Sequence, residues 1–115
     1  MTEADIQRGV IQHLRVRAAP GVFFFHCPNG GWRSRVEASI LSGMGVRPGV
    51  PDLILIRGSR IYGLELKTLT GRLSAKQKQV IEEMRRCGVD VGVAHGLDAA
   101  LAWMERRGIL RGKAN

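Results

Sequence analysis

The sequence predicts an α/β domain, a mixed sheet built around a central β-hairpin and flanked by helices. Two apolar runs of β character, residues 52–57 and 60–67, meet at Gly58-Ser59, a pair suited to a type II′ turn. Segments with helical spacing, several opened by a Ser or Thr with an acid or amide three places on, alternate with β-rich runs at 22–26 and 89–94. Such alternation suits a sheet covered by helices. At 115 residues the chain, 1–115, is expected to form one domain around one core.

Thr2 and Asp5 open the first helix, and Ile6, Val10 and Leu14 recur at helical spacing as far as about Arg17. At about 100° per residue, Glu3 and Gln7 fall inside that apolar stripe, an odd place for two polar side chains. A glutamate in the first turn favours the positive end of the helix dipole; one on the core-facing side can also reach a site. Val22-Phe23-Phe24-Phe25-His26 reads as an aromatic core strand. The turn after it, with Asn29-Gly30-Gly31, carries Trp32 beside Arg33 and Arg35. An aromatic ring and two guanidinium groups can stack on an unpaired base and hold phosphates, although packing of Trp32 on its own loop is the plainer reading.

Ser34 and Glu37 begin a short helix to Ser42, followed by a glycine-rich connector containing Arg47. Ser74 and Gln77 form another capping box, Val80, Ile81 and Met84 make the buried stripe, and Gly88 is the stop. A strand over 89–94 follows. Asp98 is expected to open the last helix, with Leu101 and Met104 inward, before Gly108 and a basic tail ending in Arg111 and Lys113.

With 18 Lys and Arg against 10 Asp and Glu, the chain carries a formal charge of +8. Nucleic acid is the favoured partner of such a chain, because no basic amphipathic helix with a bulky apolar face points to a membrane surface. No export signal or span is read, and Cys27 and Cys87 are expected as free thiols in the cytoplasm. The three histidines are scattered, so a histidine metal site is not expected.

The hairpin carries the chemistry. A two-residue turn at Gly58-Ser59 sets Arg57 against Arg60, Leu55 against Tyr62, Leu53 against Leu64, and Asp52 against Glu65. Facing residues share one side of a sheet, and period two adds Lys67 beside Glu65. Strand-end acids are commonly solvated, but two facing carboxylates repel unless a cation or a proton offsets them.

Pro51-Asp52 and Glu65-Leu66-Lys67 resemble the PD-(D/E)xK nuclease signature. With Arg47-Pro48-Gly49-Val50-Pro51-Asp52-Leu53, Gly63-Leu64, Gly71-Arg72-Leu73-Ser74 and Gln77, nearly the whole chain is similar to the VRR-NUC branch, the virus-type replication-repair nucleases. The resemblance implies a restriction-endonuclease-like core and a metal-dependent DNA endonuclease. It implies Mg²⁺ or Mn²⁺ on Asp52, Glu65 and the Leu66 carbonyl, with Glu3 as a further metal or water ligand. Lys67 and Gln77 would act at the phosphate and its attacking water, and Trp32, Arg33, Arg35, Arg47, Arg72 and Lys76 would hold DNA. It further implies a homodimer on four-way (Holliday) junctions. A flap or replication-intermediate nuclease, and a non-catalytic basic DNA-binding module, are the competing readings.

Overall fold

The computed structural model describes residues 1–28 and 33–112. In chain order the elements are α1 (Glu3–Arg17), β1 (Val22–His26), α2 (Arg35–Gly43), β2 (Leu53–Arg57), β3 (Arg60–Lys67), α3 (Ala75–Arg86), β4 (Asp90–His95) and α4 (Leu97–Arg106). The four strands lie side by side in the order β1-β2-β3-β4. β1, β2 and β3 are antiparallel, and β4 runs parallel to β3 after the chain crosses over through α3. The mixed sheet with a central hairpin, expected from the sequence, is therefore present.

The turn geometry sets the register. Gly58 takes φ 61°, and no residue other than glycine has a positive φ among the described ones, as a II′ turn with glycine in its first central place requires. The pairs then run from Arg57 opposite Arg60 to Leu53 opposite Leu64. Leu53, Leu55, Tyr62, Leu64 and Leu66 face one way and meet Ile6, Val10 and Leu14 of α1 and Ala100, Leu101, Trp103 and Met104 of α4 in the core. The opposite side, carrying Gly63, Glu65 and Lys67, receives α3, whose Val80 and Ile81 are buried.

Capping follows the sequence closely at two helices. Thr2 and Asp5, and Ser74 and Gln77, form full reciprocal capping boxes. At α2, Ser34 accepts from the Glu37 N–H and donates its hydroxyl to the Glu37 carboxylate. α4 departs from expectation: Gly96, at φ 95°, is its N-cap, and Asp98 sits inside the first turn instead of opening the helix. β1 departs further. Val22 and Phe24 pack against the core, while Phe23 and Phe25 are 63% and 42% exposed. The strand is at the sheet edge with helices on one side only, so period two leaves alternate rings outside.

Gly92 shows how closely α4 approaches. A Cβ there would fall 2.1 Å from Trp103 Nε1. Trp103 is itself fixed by Arg107, whose guanidinium lies 4.0 Å from the ring centroid and donates to Asp90 at 2.7 Å. The indole cannot swing aside cheaply, so Gly92→Ala is expected to destabilise the fold by about 3 kcal/mol, the upper end of overpacking costs. Urea denaturation checks this; an unchanged midpoint would mean that the indole has room to move.

Candidate active site

Asp52 sits one residue before β2, where the ladder with β3 has ended. Its main-chain carbonyl accepts from the Cys27 N–H at 2.8 Å, and the His26 ring Nδ1 lies 2.8 Å from the same oxygen. A carbonyl can only accept, so Nδ1 carries the proton in this contact. Pro51 is buried beneath Gly63, where any Cβ would meet the proline ring at 3.1 Å. The glycine lets the approach segment lie flat on β3 and so places Asp52.

The side chain then turns to β3. Asp52 Oδ2 accepts from the Leu66 N–H at 2.8 Å. Asp52 thus bridges to the residue after Glu65, where the sequence reading set the two acids in a facing pair. In an extended strand the N–H and C=O of one residue point to the same side. The Leu66 carbonyl therefore faces the Asp52 side as well.

Glu65 and Lys67 are 2% and 7% exposed, and Lys67 Nζ lies 3.6 Å from Glu65 Oε2. Gln77 joins them from α3. Its Oε1 accepts from the Ser74 N–H at 2.8 Å, which makes the other amide atom the donor to Glu65 Oε2 at 3.1 Å. One side chain is at once the helix cap and a ligand of the buried carboxylate, two roles that the sequence left as alternatives. The Glu65 carboxyl is pushed up to about 7, chiefly by burial and then by the Asp52 carboxylate; Lys67 pulls it back, and Glu3 raises it further. Desolvation outweighs the ion pair here.

Beside Asp52 opens a cavity of about 420 Å³ lined by Glu3, Ala4, Gln7, Arg8, His26, Pro28 and Asp52. Glu3, exposed on the first turn of α1, faces this space. Gln7 Nε2 is buried with no partner among the described residues. Arg8 and His26 were not selected from the sequence. Arg8 had no signal beyond its charge, whereas His26 was findable in principle, as the residue that the edge strand places against Leu53 at the start of β2.

The residues expected to bind DNA are more dispersed. Arg33 and Arg35 line a second cavity along α2. Arg47 is tied to Glu83 at 2.8 Å, and Arg72 and Lys76 are exposed at the approach to α3. Trp32 lies outside the described residues, as does Lys113 of the basic tail.

The donor set suits a hard divalent cation in part. Asp52 and Glu65 offer carboxylate oxygens of the kind such ions take, and Glu65 protonates near neutrality because so little positive charge offsets its burial. Among the described residues no three His, Cys, Asp or Glu side chains converge closely enough to hold an ion. A third ligand from the chain would therefore be main chain, and the Leu66 carbonyl is the one that points there.

The model of the VRR-NUC domain matches residues 4–98. The chain belongs to the VRR-NUC family. A solved structure, a VRR_NUC domain protein, superposes with a TM-score of 0.78 at 26% identity, covering 92% of this chain and 87% of that one. No curated protein matches. The family makes this VRR-NUC chain a nuclease of the PD-(D/E)xK type, a hydrolase with DNA as substrate, in a family whose members are generally dependent on divalent metal. No helix among the described residues is long and apolar enough to cross a membrane.

The raised Glu65 pKa has a stability consequence. An acid that titrates higher when folded costs nothing below its unfolded value of 4.5, and its full cost is present above about 7. Without metal, stability from this group therefore falls as pH rises from about 4.5 to 7. Glu65→Gln should remove that fall, making the variant more stable than the parent at pH 8 by up to about 3 kcal/mol and no different at pH 4. Denaturation midpoints at the two pH values, in chelator, measure it; equal midpoints at pH 8 would contradict the burial argument.

Proposed function

We propose that this VRR-NUC chain is a Mg²⁺- or Mn²⁺-dependent, structure-selective DNA endonuclease that cuts four-way junctions as a homodimer. The observation carrying the catalytic part is the Glu65, Lys67 and Gln77 cluster, buried and hydrogen bonded beside Asp52. A structural acid pair gains nothing from being desolvated with a raised pKa; a cation-binding carboxylate does. The cation would be held by Asp52, Glu65 and the Leu66 carbonyl. When bound, it polarises the scissile phosphate and makes water nucleophilic at neutral pH.

The side chains have separate parts in this mechanism. Lys67, its ammonium shielded from water, stabilises the negative charge that grows on the phosphate as the water attacks. Gln77 holds Glu65 in one rotamer, so that its oxygens stay aimed at the site. Glu3 orients the attacking water from across the cavity. Attack on phosphorus expels the 3′-oxygen, leaving a 5′-phosphate and a 3′-hydroxyl. Arg33, Arg35, Arg47, Arg72 and Lys76, with Trp32, bind the flanking backbone, which fixes affinity and its salt dependence.

Cutting two strands symmetrically requires two such sites, and each chain offers one; two copies related by a twofold axis meet that need. A flap or another replication intermediate is the alternative substrate for the same chemistry. A cytoplasmic location fits the free thiols Cys27 and Cys87.

Asp52→Ala should lower the cutting rate at least about 1,000-fold, and Lys67→Ala about 100-fold or more. Binding of the same DNA should change only a few-fold, because the removed groups are not the surface cations. End-labelled junction, flap and linear duplex, incubated with Mg²⁺ or Mn²⁺, give both numbers. Undiminished cutting by both variants would overturn the catalytic assignment of Asp52 and Lys67, and a parent that binds without cutting would leave only the non-catalytic binding module.

A further inference from the structure

A further cavity, of about 490 Å³, opens at the same end of the sheet as Asp52, where β3 and β4 finish and α4 begins. It is tied to the strand that carries the site. The Gly96 N–H, in its wall, donates to the Lys67 carbonyl at 2.8 Å, and His95 is the β4 partner of Lys67. Lys67 is thus one strand spacing, roughly 5 Å, from the edge of this space.

The turn that leaves β3 displays one apolar side chain beside it. The Gly71 N–H donates to the Thr68 carbonyl at 3.1 Å, and His95 Nδ1 lies 3.0 Å from the same oxygen, so the turn is closed and pinned to β4. Leu69 holds its first central place. Its Cδ2 lies over Gly96, where any Cβ would come within 3.1 Å of it, yet the residue is 82% exposed. A turn held at these points cannot fold its leucine away. The chain therefore keeps a large apolar group in water two residues after the lysine of the site.

The lining says what would cover it. Leu69, Leu97 and Ile6 supply apolar surface, and Thr68, Thr70, His95 and Asp98 add hydroxyl, imidazole and carboxylate groups. No lysine or arginine is among its described lining residues, and Asp98 repels a phosphate. A flat, uncharged ring with polar edges meets both conditions, its faces against leucine and imidazole and its edge on the polar groups, as enzymes hold a nucleobase taken out of its stack. The volume is in the range of small-molecule pockets.

We infer that this cavity receives one unstacked nucleobase of the DNA, next to the phosphate being cut, with Leu69 as the wedge that keeps the base out of its stack. This deepens the structure-selective nuclease reading above and rests on it. Arg72, exposed three residues after Leu69, supplies the charge for a neighbouring phosphate that the cavity lacks. Selectivity for structure then needs no reading of sequence. A base already unpaired at a branch enters the cavity directly, whereas a paired one must first be broken out of its duplex.

The test uses the full chain and four-way junctions carrying 2-aminopurine, which fluoresces more brightly outside the stack, at each nucleotide of the branch point in turn. In a Lys67→Ala background, which leaves the junction uncut, binding with Mg²⁺ should raise the fluorescence at one of these positions. Adding Leu69→Asp should remove the rise, with far-UV circular dichroism unchanged because Leu69 is outside the core. With Lys67 restored, the parent should cut a linear duplex with one unpaired nucleotide at least about 10-fold faster, in kcat/KM, than its fully paired counterpart, and Leu69→Asp should lose that preference. An unchanged rise and preference in Leu69→Asp overturns the proposal and leaves the cavity to a protein partner. So does a parent that cuts junctions while no branch nucleotide brightens. A parent that unstacks the base yet cuts no DNA with Mg²⁺ or Mn²⁺ would instead refute the nuclease reading and leave the base pocket standing.

Discussion

The buried Glu65 and Lys67 pair is the constraint around which the rest of the molecule is arranged. Taking a carboxylate and an ammonium out of water costs several kcal/mol per ion, and their mutual attraction returns that only when further hydrogen bonds complete the site. The Gln77 amide on α3 supplies such a bond to Glu65, whereas Asp52, held by the Leu66 N–H at the end of the approach to β2, adds a second carboxylate that works against it. The raised Glu65 pKa shows that the compensation is unfinished. A fold that keeps an acid in this state gains from a cation beside it, and on the proposed function this places stability and activity in opposition at one side chain.

Because the pair lies on β3, its surroundings depend on features with no chemistry of their own. Gly58 sets the turn, the turn sets which β3 residues face α3, and a slip by one residue would send Glu65 and Lys67 into the Leu64 and Leu66 layer. Gly63 leaves the space in which Pro51 lies, so the Asp52 position rests on a missing methyl group. The Ser74 cap fixes the first turn of α3 and, through the same Gln77 side chain, the carboxylate. Turn, glycine and cap thus belong to the site as much as its charged groups do.

Much of this was legible in the sequence, since it rests on local rules. Turn chemistry at Gly58-Ser59 implied the register, and Thr2 with Asp5 and Ser74 with Gln77 marked two helix starts. Asp52 was less legible. The pairing rule extended the ladder one residue too far, whereas the chain leaves β2 there and the carboxylate bonds to the Leu66 N–H. The two exposed β1 rings were read as core because period two does not say whether both sides of a strand are covered. Arg8 and His26, which join Glu3 and Gln7 around the cavity, were harder to find for a similar reason, as the cavity forms where α1 and the ends of β1 and β2 meet.

The opposition of charges is the reason binding and cutting are expected to separate in this chain. Overall it carries a formal +8, yet Asp52, Glu65 and Glu3 bring negative charge to the place proposed for the reacting phosphate. Long-range attraction to DNA therefore does not depend on the site, and the site by itself repels what the surface collects. Lys67 offsets only Glu65, and protonation of Glu65 removes that same charge at the expense of its oxygen as a ligand. Only a divalent ion both neutralises the cluster and leaves the carboxylates ionised. On the proposed function, the acidic cluster would thus act as a lock on a basic surface, holding the backbone off the reacting position until the cation is in place.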